Sequence, residues 1–210
     1  GLHPAARTPQ ALYMRAHGSA HHVHITELGE RNATLGFGLR ATSVDDLARL
    51  AAHLGTRVED NPEPGGGLRV RFTDPAGFVV DVLQGQATWP ELPHRAPLLS
   101  NPATGRQRLG QAIRLRPVPS SVMRLGHVAL LVPDFRKSYD FYRELLGFRP
   151  SDTYHAGPPE NTIAAFMHCG LGAQFTDHHT VALIAAQDGV ARFDHSAFEV
   201  LDFDDVVQGG

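Results

Sequence analysis

Apolar and polar positions change their spacing several times along the 210 residues, and each change marks an element. Short strands are predicted at residues 13–16, 21–28 and 35–41. Ser43 then opens a helix: its hydroxyl can accept from the free N–H groups, and Asp46 stands three residues on. Leu47, Leu50, Ala51 and Leu54 fall on one apolar face, and Gly55 stops the helix. A Pro- and Gly-rich loop covers 61–67, and strands at 68–72 and 78–83 flank the turn Asp74-Pro75-Ala76-Gly77.

The pattern dissolves over residues 86–121. Six prolines, from Pro90 to Pro119, break regular structure, and Arg95, Arg106, Arg108, Arg114 and Arg116 keep the stretch solvated. So long a patternless run is uncommon inside a compact domain. It therefore reads as a linker between a domain at 1–85 and a second at 122–210. In the second domain the pattern restarts: a strand at 124–132, a helix capped by Asp134 with Phe135, Tyr139, Tyr142 and Leu146 on one face, and strands at 163–168, 180–185 and 193–200. A further helix begins near Asp202. Tyr154 and His155 fall on a polar loop.

The two halves share a strand–helix repeat. Residues 36–47 align with 195–206, and a double histidine lies upstream of each, His21-His22 and His178-His179. The place of His195 is held by Gly36 in the first half, and glycine offers no ligand. The first half is therefore expected to be scaffold. The repeat also places a counterpart of Asp81 about 45 residues after His195, beyond Gly210, where an acidic residue is expected.

Composition narrows the classes. The hydrophobic and charged fractions, 42% and 20%, are those of a globular protein rather than a disordered one. A net charge of −3 gives no reason to expect nucleic acid, and no apolar run suits a membrane span. With a single cysteine, Cys169, no internal disulfide can form, which fits a cytoplasmic location. Thirteen histidines are conspicuous. His17, His53 and His94 read as harmless surface imidazoles. His127 and His195 are different: each lies in an apolar strand, reads as buried, and would be costly there without a partner. Two neutral imidazoles on facing strands are two thirds of the facial triad that binds non-haem Fe(II). Glu199 is set aside as the third ligand, because four residues along a strand carry it about 13 Å from His195.

Gly126-His127-Val128, Phe141-Tyr142, Leu146-Gly147-Phe148, Phe166-Met167-His168-Cys169, His178-His179-Thr180 and Asp194-His195 together resemble the vicinal-oxygen-chelate superfamily. Within it they are similar to the type I extradiol ring-cleavage dioxygenases, the catechol 2,3-dioxygenase-like enzymes. Asp74-Pro75-Ala76-Gly77 is the best marker of that family's metal-free N-terminal domain. The resemblance implies an α+β glyoxalase/bleomycin-resistance/dioxygenase fold of paired βαβββ modules, in two domains that are both incomplete here. It implies His127 and His195 as metal ligands, with the third, a carboxylate, beyond Gly210. His179 would be the acid–base residue, with Phe166 and His178 at the substrate. The cofactor would be Fe(II), with Mn(II) sharing the same ligand set. The implied reaction is cleavage of a catechol by O2 in aromatic catabolism, by a homo-oligomer. The chain reads as an internal piece, inactive alone. The alternatives are a metal-dependent isomerase or lyase of the same superfamily and a non-enzymatic small-molecule-binding protein.

Overall fold

The computed structural model describes residues 1–110 and 116–209; Arg114 of the predicted linker lies outside the described residues. By packing, the chain divides into two compact units. One comprises the described residues of 1–27, 88–124 and 198–210, the other 28–87 and 125–197. Each unit thus draws on both halves of the sequence, a different partition from division along the chain.

In the first unit, β1 (His3–Arg7), β2 (Ala11–Arg15) and β3 (His24–Glu27) form an antiparallel sheet. Residues 88–92 are tied to it: Trp89 N–H donates to the Ser19 carbonyl (2.9 Å) and Leu92 N–H to that of His17 (2.8 Å). The described part of 86–121 contains no helix or strand beyond an isolated bridge at Thr88, yet it is held in place. Arg95 pairs with Asp202 and Asp205, and buried Asp205 accepts from Ser121 N–H at 3.0 Å. His17 is buried rather than on the surface, with Nδ1 at 3.0 Å from the Val122 carbonyl.

The second unit holds two modules of one topology. The first is β4 (Gly36–Arg40), α1 (Val44–Leu54), β5 (Glu59–Asp60), β6 (Leu68–Thr73) and β7 (Val79–Gln84), in the sheet order β4-β7-β6-β5. The second is β8 (Val122–Val132), α2 (Phe135–Leu145), β9 (Arg149–His155), β10 (Thr162–His168) and β11 (Val181–Ala185), in the matching order β8-β11-β10-β9. In each the first strand pairs in parallel with the last, which is the βαβββ arrangement. Strand β12 (Arg192–Val200) adds beside β8; α3 (Phe203–Gly209) follows it in the chain but belongs to the first unit.

Local chemistry accounts for these elements. Ser43 accepts from Asp46 N–H and Gly55 ends α1 at φ 63°, where glycine alone is at ease. Asp134 accepts from Lys137 N–H at the start of α2. Leu47, Leu50 and Ala51 bury the inner face of α1 against Val70, Val80 and Val82; each fully buried leucine contributes about 1.5–3 kcal/mol. On the second module, Val128, Leu130 and Val132 pack with Tyr142, Ala165, Met167, Val181 and Leu183. The turn at Asp74 joins this core. Asp74 Oδ1 accepts from Ala76 and Phe78 N–H (2.9 Å each), while Oδ2 accepts from the buried Tyr142 hydroxyl at 2.7 Å.

Strand β9, sequence Arg-Pro-Ser-Asp-Thr-Tyr-His, replaces the expected loop around Tyr154 and His155. It is exposed throughout, so it shows no alternation, and it lies at the sheet edge, where Pro150 is tolerated.

The repeat extends further than the sequence alignment. Gly36 stands seven residues before the cap Ser43, His127 seven before Asp134, and His195 seven before Asp202. Asp202 accepts from Asp205 N–H at 3.1 Å, as the other two caps do from the residue three on. The two histidines therefore occupy equivalent places in successive strand–helix units. At the third such place a Cβ on Gly36 would meet the Val79 carbonyl oxygen at 1.8 Å. No side chain fits there, least of all an imidazole.

Candidate metal and substrate site

The sheet β12-β8-β11-β10-β9 has one face on α2 and one free of it. Side chains alternate along a strand, so with Val128, Leu130 and Val132 on the helix face, His127, Ala129 and Leu131 take the other. The register carries that face across. Ala129 pairs with Ala182, Ala182 with Phe166, and Phe166 with Asp152. The next row is Leu131, Ile184, Ala164 and Tyr154. The three alanines of these rows, Ala129, Ala164 and Ala182, are buried, whereas Tyr154 is exposed.

His127 and His195 converge there. Their Nε2 atoms are 3.1 Å apart. Two nitrogens at about 2.1 Å from one ion, at right angles, are separated by about 3.0 Å, so the gap matches adjacent ligands of a single metal. The donor chemistry fits as well. His195 Nδ1 lies 2.7 Å from Asp194 Oδ2. A carboxylate only accepts, so Nδ1 carries the proton and Nε2 keeps its lone pair. Among the described residues, no group of three or more His, Cys, Asp or Glu side chains is arranged to hold a metal.

His127 is only half-buried and His195 is exposed, so the expectation that both are buried is corrected. They stand at the solvent-facing part of the sheet instead of in a core. Burial still holds the His127 imidazole below its ordinary pKa, helped by His179 and His195 and opposed by Asp177. The His179 ring, 4.1 Å from that of His127, is likewise lowered by burial, then by His178 and His195, against Asp177. Both shifts favour the neutral ring, which can accept a proton.

Phe166 stands edge-on to His179 with ring centres 5.0 Å apart, and Tyr154 packs against Phe166 at 5.8 Å. His178 is exposed; its Nδ1 is 3.1 Å from His179 Nδ1 and its Nε2 is 3.0 Å from Asp152 Oδ2. All five sequence-predicted site residues thus belong to one connected group. Asp152 and Asp194 were not among them. Asp194 was signalled by its place beside His195, whereas nothing in the sequence linked Asp152 to His178, 26 residues away. Glu199 forms an ion pair with Arg124 at 2.6 Å. A separate surface cavity of about 770 Å³, bordered by Tyr139, Arg143, Glu144, Arg149 and Pro150, contains none of the predicted residues.

Comparison with known proteins agrees with this architecture. The profile of the Glyoxalase/Bleomycin resistance protein/Dioxygenase superfamily matches residues 124–208. Metapyrocatechase 2 of Cupriavidus necator is 32% identical over 97% of this chain and 60% of its own length. Biphenyl-2,3-diol 1,2-dioxygenase of Paraburkholderia xenovorans is 33% identical over 65% of this chain and 40% of its own. The chain therefore spans about half the length of these relatives. The fold is shared with the Mn(II)-bound glyoxalase from Novosphingobium aromaticivorans (TM-score 0.72, 23% identity, 100% of this chain and 60% of that one). It is also shared with homoprotocatechuate 2,3-dioxygenase from Arthrobacter globiformis (TM-score 0.71, 24% identity, 99% and 58%). With the βαβββ topology and the profile match in agreement, it is residues 124–208 that match the Glyoxalase/Bleomycin resistance protein/Dioxygenase superfamily.

Proposed function

We propose that the protein carrying this chain cleaves a catechol-type ring with O2 beside its two hydroxyls, at a non-haem Fe(II) held in part by His127 and His195. The 3.1 Å approach of their Nε2 atoms carries the reading. Mn(II) suits the same donors. Bound there, the metal supplies the electron coupling between a closed-shell catechol and triplet O2.

This chain's own side chains supply the rest. Asp194 fixes the tautomer and the ring orientation of His195. His179, neutral and beside His127, takes a hydroxyl proton from the catechol and later returns it. Phe166 forms the wall against which the ring lies. His178 borders the same space. The diol named in one relative and the dioxygenase activity named for it support this substrate class and reaction.

The test is oxygen uptake by the Fe(II)-loaded protein with a panel of catechols, alongside His127→Ala, His195→Ala and His179→Ala. Uptake with the appearance of a ring-opened product is expected, absent in the first two variants and at least about a hundredfold slower in the third. No uptake with any catechol by metal-loaded protein would refute the proposal.

A further inference from the structure

A carboxylate and an imidazole adjoin His179. Asp152 Oδ2 is 3.0 Å from His178 Nε2, and His178 Nδ1 is 3.1 Å from His179 Nδ1. A carboxylate can only accept, so Nε2 of His178 carries the proton. A neutral imidazole has one N–H, which leaves His178 Nδ1 bare and able to accept. It faces His179 Nδ1, which must then hold the proton of its own ring. Nε2 of His179, on the far side of the ring from His178, is left with a lone pair. The backbone of His178 is pinned as well: the Ser151 hydroxyl donates to its carbonyl at 2.5 Å, and His168 Nδ1 lies 2.7 Å from the same hydroxyl.

We infer that Asp152 and His178 are positioning residues that fix His179 as the Nδ1–H tautomer, with Nε2 free to accept a proton. Asp152 lies on edge strand β9, whose register with β10 places it in one row with Phe166, Ala182 and Ala129. The strand that shows no sequence pattern thus has a role at the site. Asp194 does for His195 what Asp152 does for His179 through one more ring. In both cases an aspartate selects the nitrogen that is left free. The catalytic value of this arrangement rests on the reading of His179 given above, but the tautomer itself does not.

The experiment uses the metal-free chain with ¹⁵N-labelled histidine. Long-range ¹H–¹⁵N correlation spectra at about pH 8, above the ordinary imidazole range, distinguish Nδ1–H from Nε2–H rings, and His178→Gln and His179→Gln assign the two signals. Nδ1–H is expected as the major form of His179 by several-fold, with His178 as Nε2–H. In Asp152→Asn the amide can donate to His178 as well as accept, and the His179 ratio should fall at least about threefold. The inference is overturned if His179 is mainly Nε2–H in the unaltered chain, or if Asp152→Asn leaves its ratio unchanged. Because neither metal nor catechol is present, its failure would leave the dioxygenase proposal standing, and the tautomer could equally hold in a protein that cleaves no catechol.

Discussion

The bond between Tyr142 and Asp74 allows a quantitative test of how the second unit is held together. Tyr142 is 0% exposed and Asp74 4%, and the phenol donates to Oδ2 at 2.7 Å. Tyr142→Phe removes only the hydroxyl. The ring keeps its packing against Phe37, Phe141 and Phe148. Asp74 keeps its two backbone donors, but one buried oxygen loses its partner. A hydrogen bond to a charged group contributes about 1.5–3 kcal/mol, so a loss of about 2 kcal/mol is expected. With a urea slope near 2 kcal/mol/M, the midpoint should fall by about 1 M. Asp74→Asn should show a coupling of at least about 0.5 kcal/mol with Tyr142→Phe in a double-mutant cycle. Linkage adds a second readout. Burial, then Asp74, pushes the phenol pKa far above its ordinary value. A raised pKa in the folded state gives stability that is present below the unfolded value, about 10, and lost as pH rises past it. The alkaline decline should therefore be steeper in the unaltered protein than in Tyr142→Phe. A change below about 0.5 kcal/mol, with strict additivity, would show that this bond does not join turn and helix energetically.

Gly36→Ala should destabilise by about 1–3 kcal/mol in the same urea assay, since the added carbon meets a backbone oxygen that a side-chain rotation cannot clear. Ser43→Ala should cost about 1 kcal/mol through loss of the α1 cap. His21 is buried and its pKa is lowered by burial and then by Arg15; stability from this site is therefore present above about pH 6.5 and lost on acidification, and His21→Gln should lose less between about pH 7 and 5. Mn(II) binding, followed by paramagnetic relaxation of water protons, should weaken on acidification as protons compete for the imidazoles. Because the His127 pKa is lowered, protons compete less well for that ring than for an exposed imidazole, and His127→Ala should remove the binding while Phe166→Ala spares it.

Elements whose signal is local were legible in the chain. The caps Ser43 and Asp134, the stop at Gly55, the turn at Asp74 and the alternating strands around His127 and His195 could all be read, because capping, backbone freedom and one-sided burial act over a few residues. The edge strand β9 was not legible: with both faces exposed, nothing imposes an alternation on it. The spacing of seven residues from Gly36, His127 and His195 to their caps was present in the sequence, but it gained meaning only once three strand–helix units could be superposed. Burial of the two histidines was misjudged, because apolar neighbours in a strand tell nothing of what covers the opposite face.

Residue type and short-range spacing were enough to show which residues could form each strand and helix, and which side chains carried ligand chemistry. Which of the thirteen histidines meet depends on pairings between residues far apart in the chain. Strand order and register, set by long-range packing against α2, bring His127 within 3.1 Å of His195 across 68 residues and place Asp152 beside His178. No local pattern encodes such a distance, because it is the sum of every pairing between the two strands.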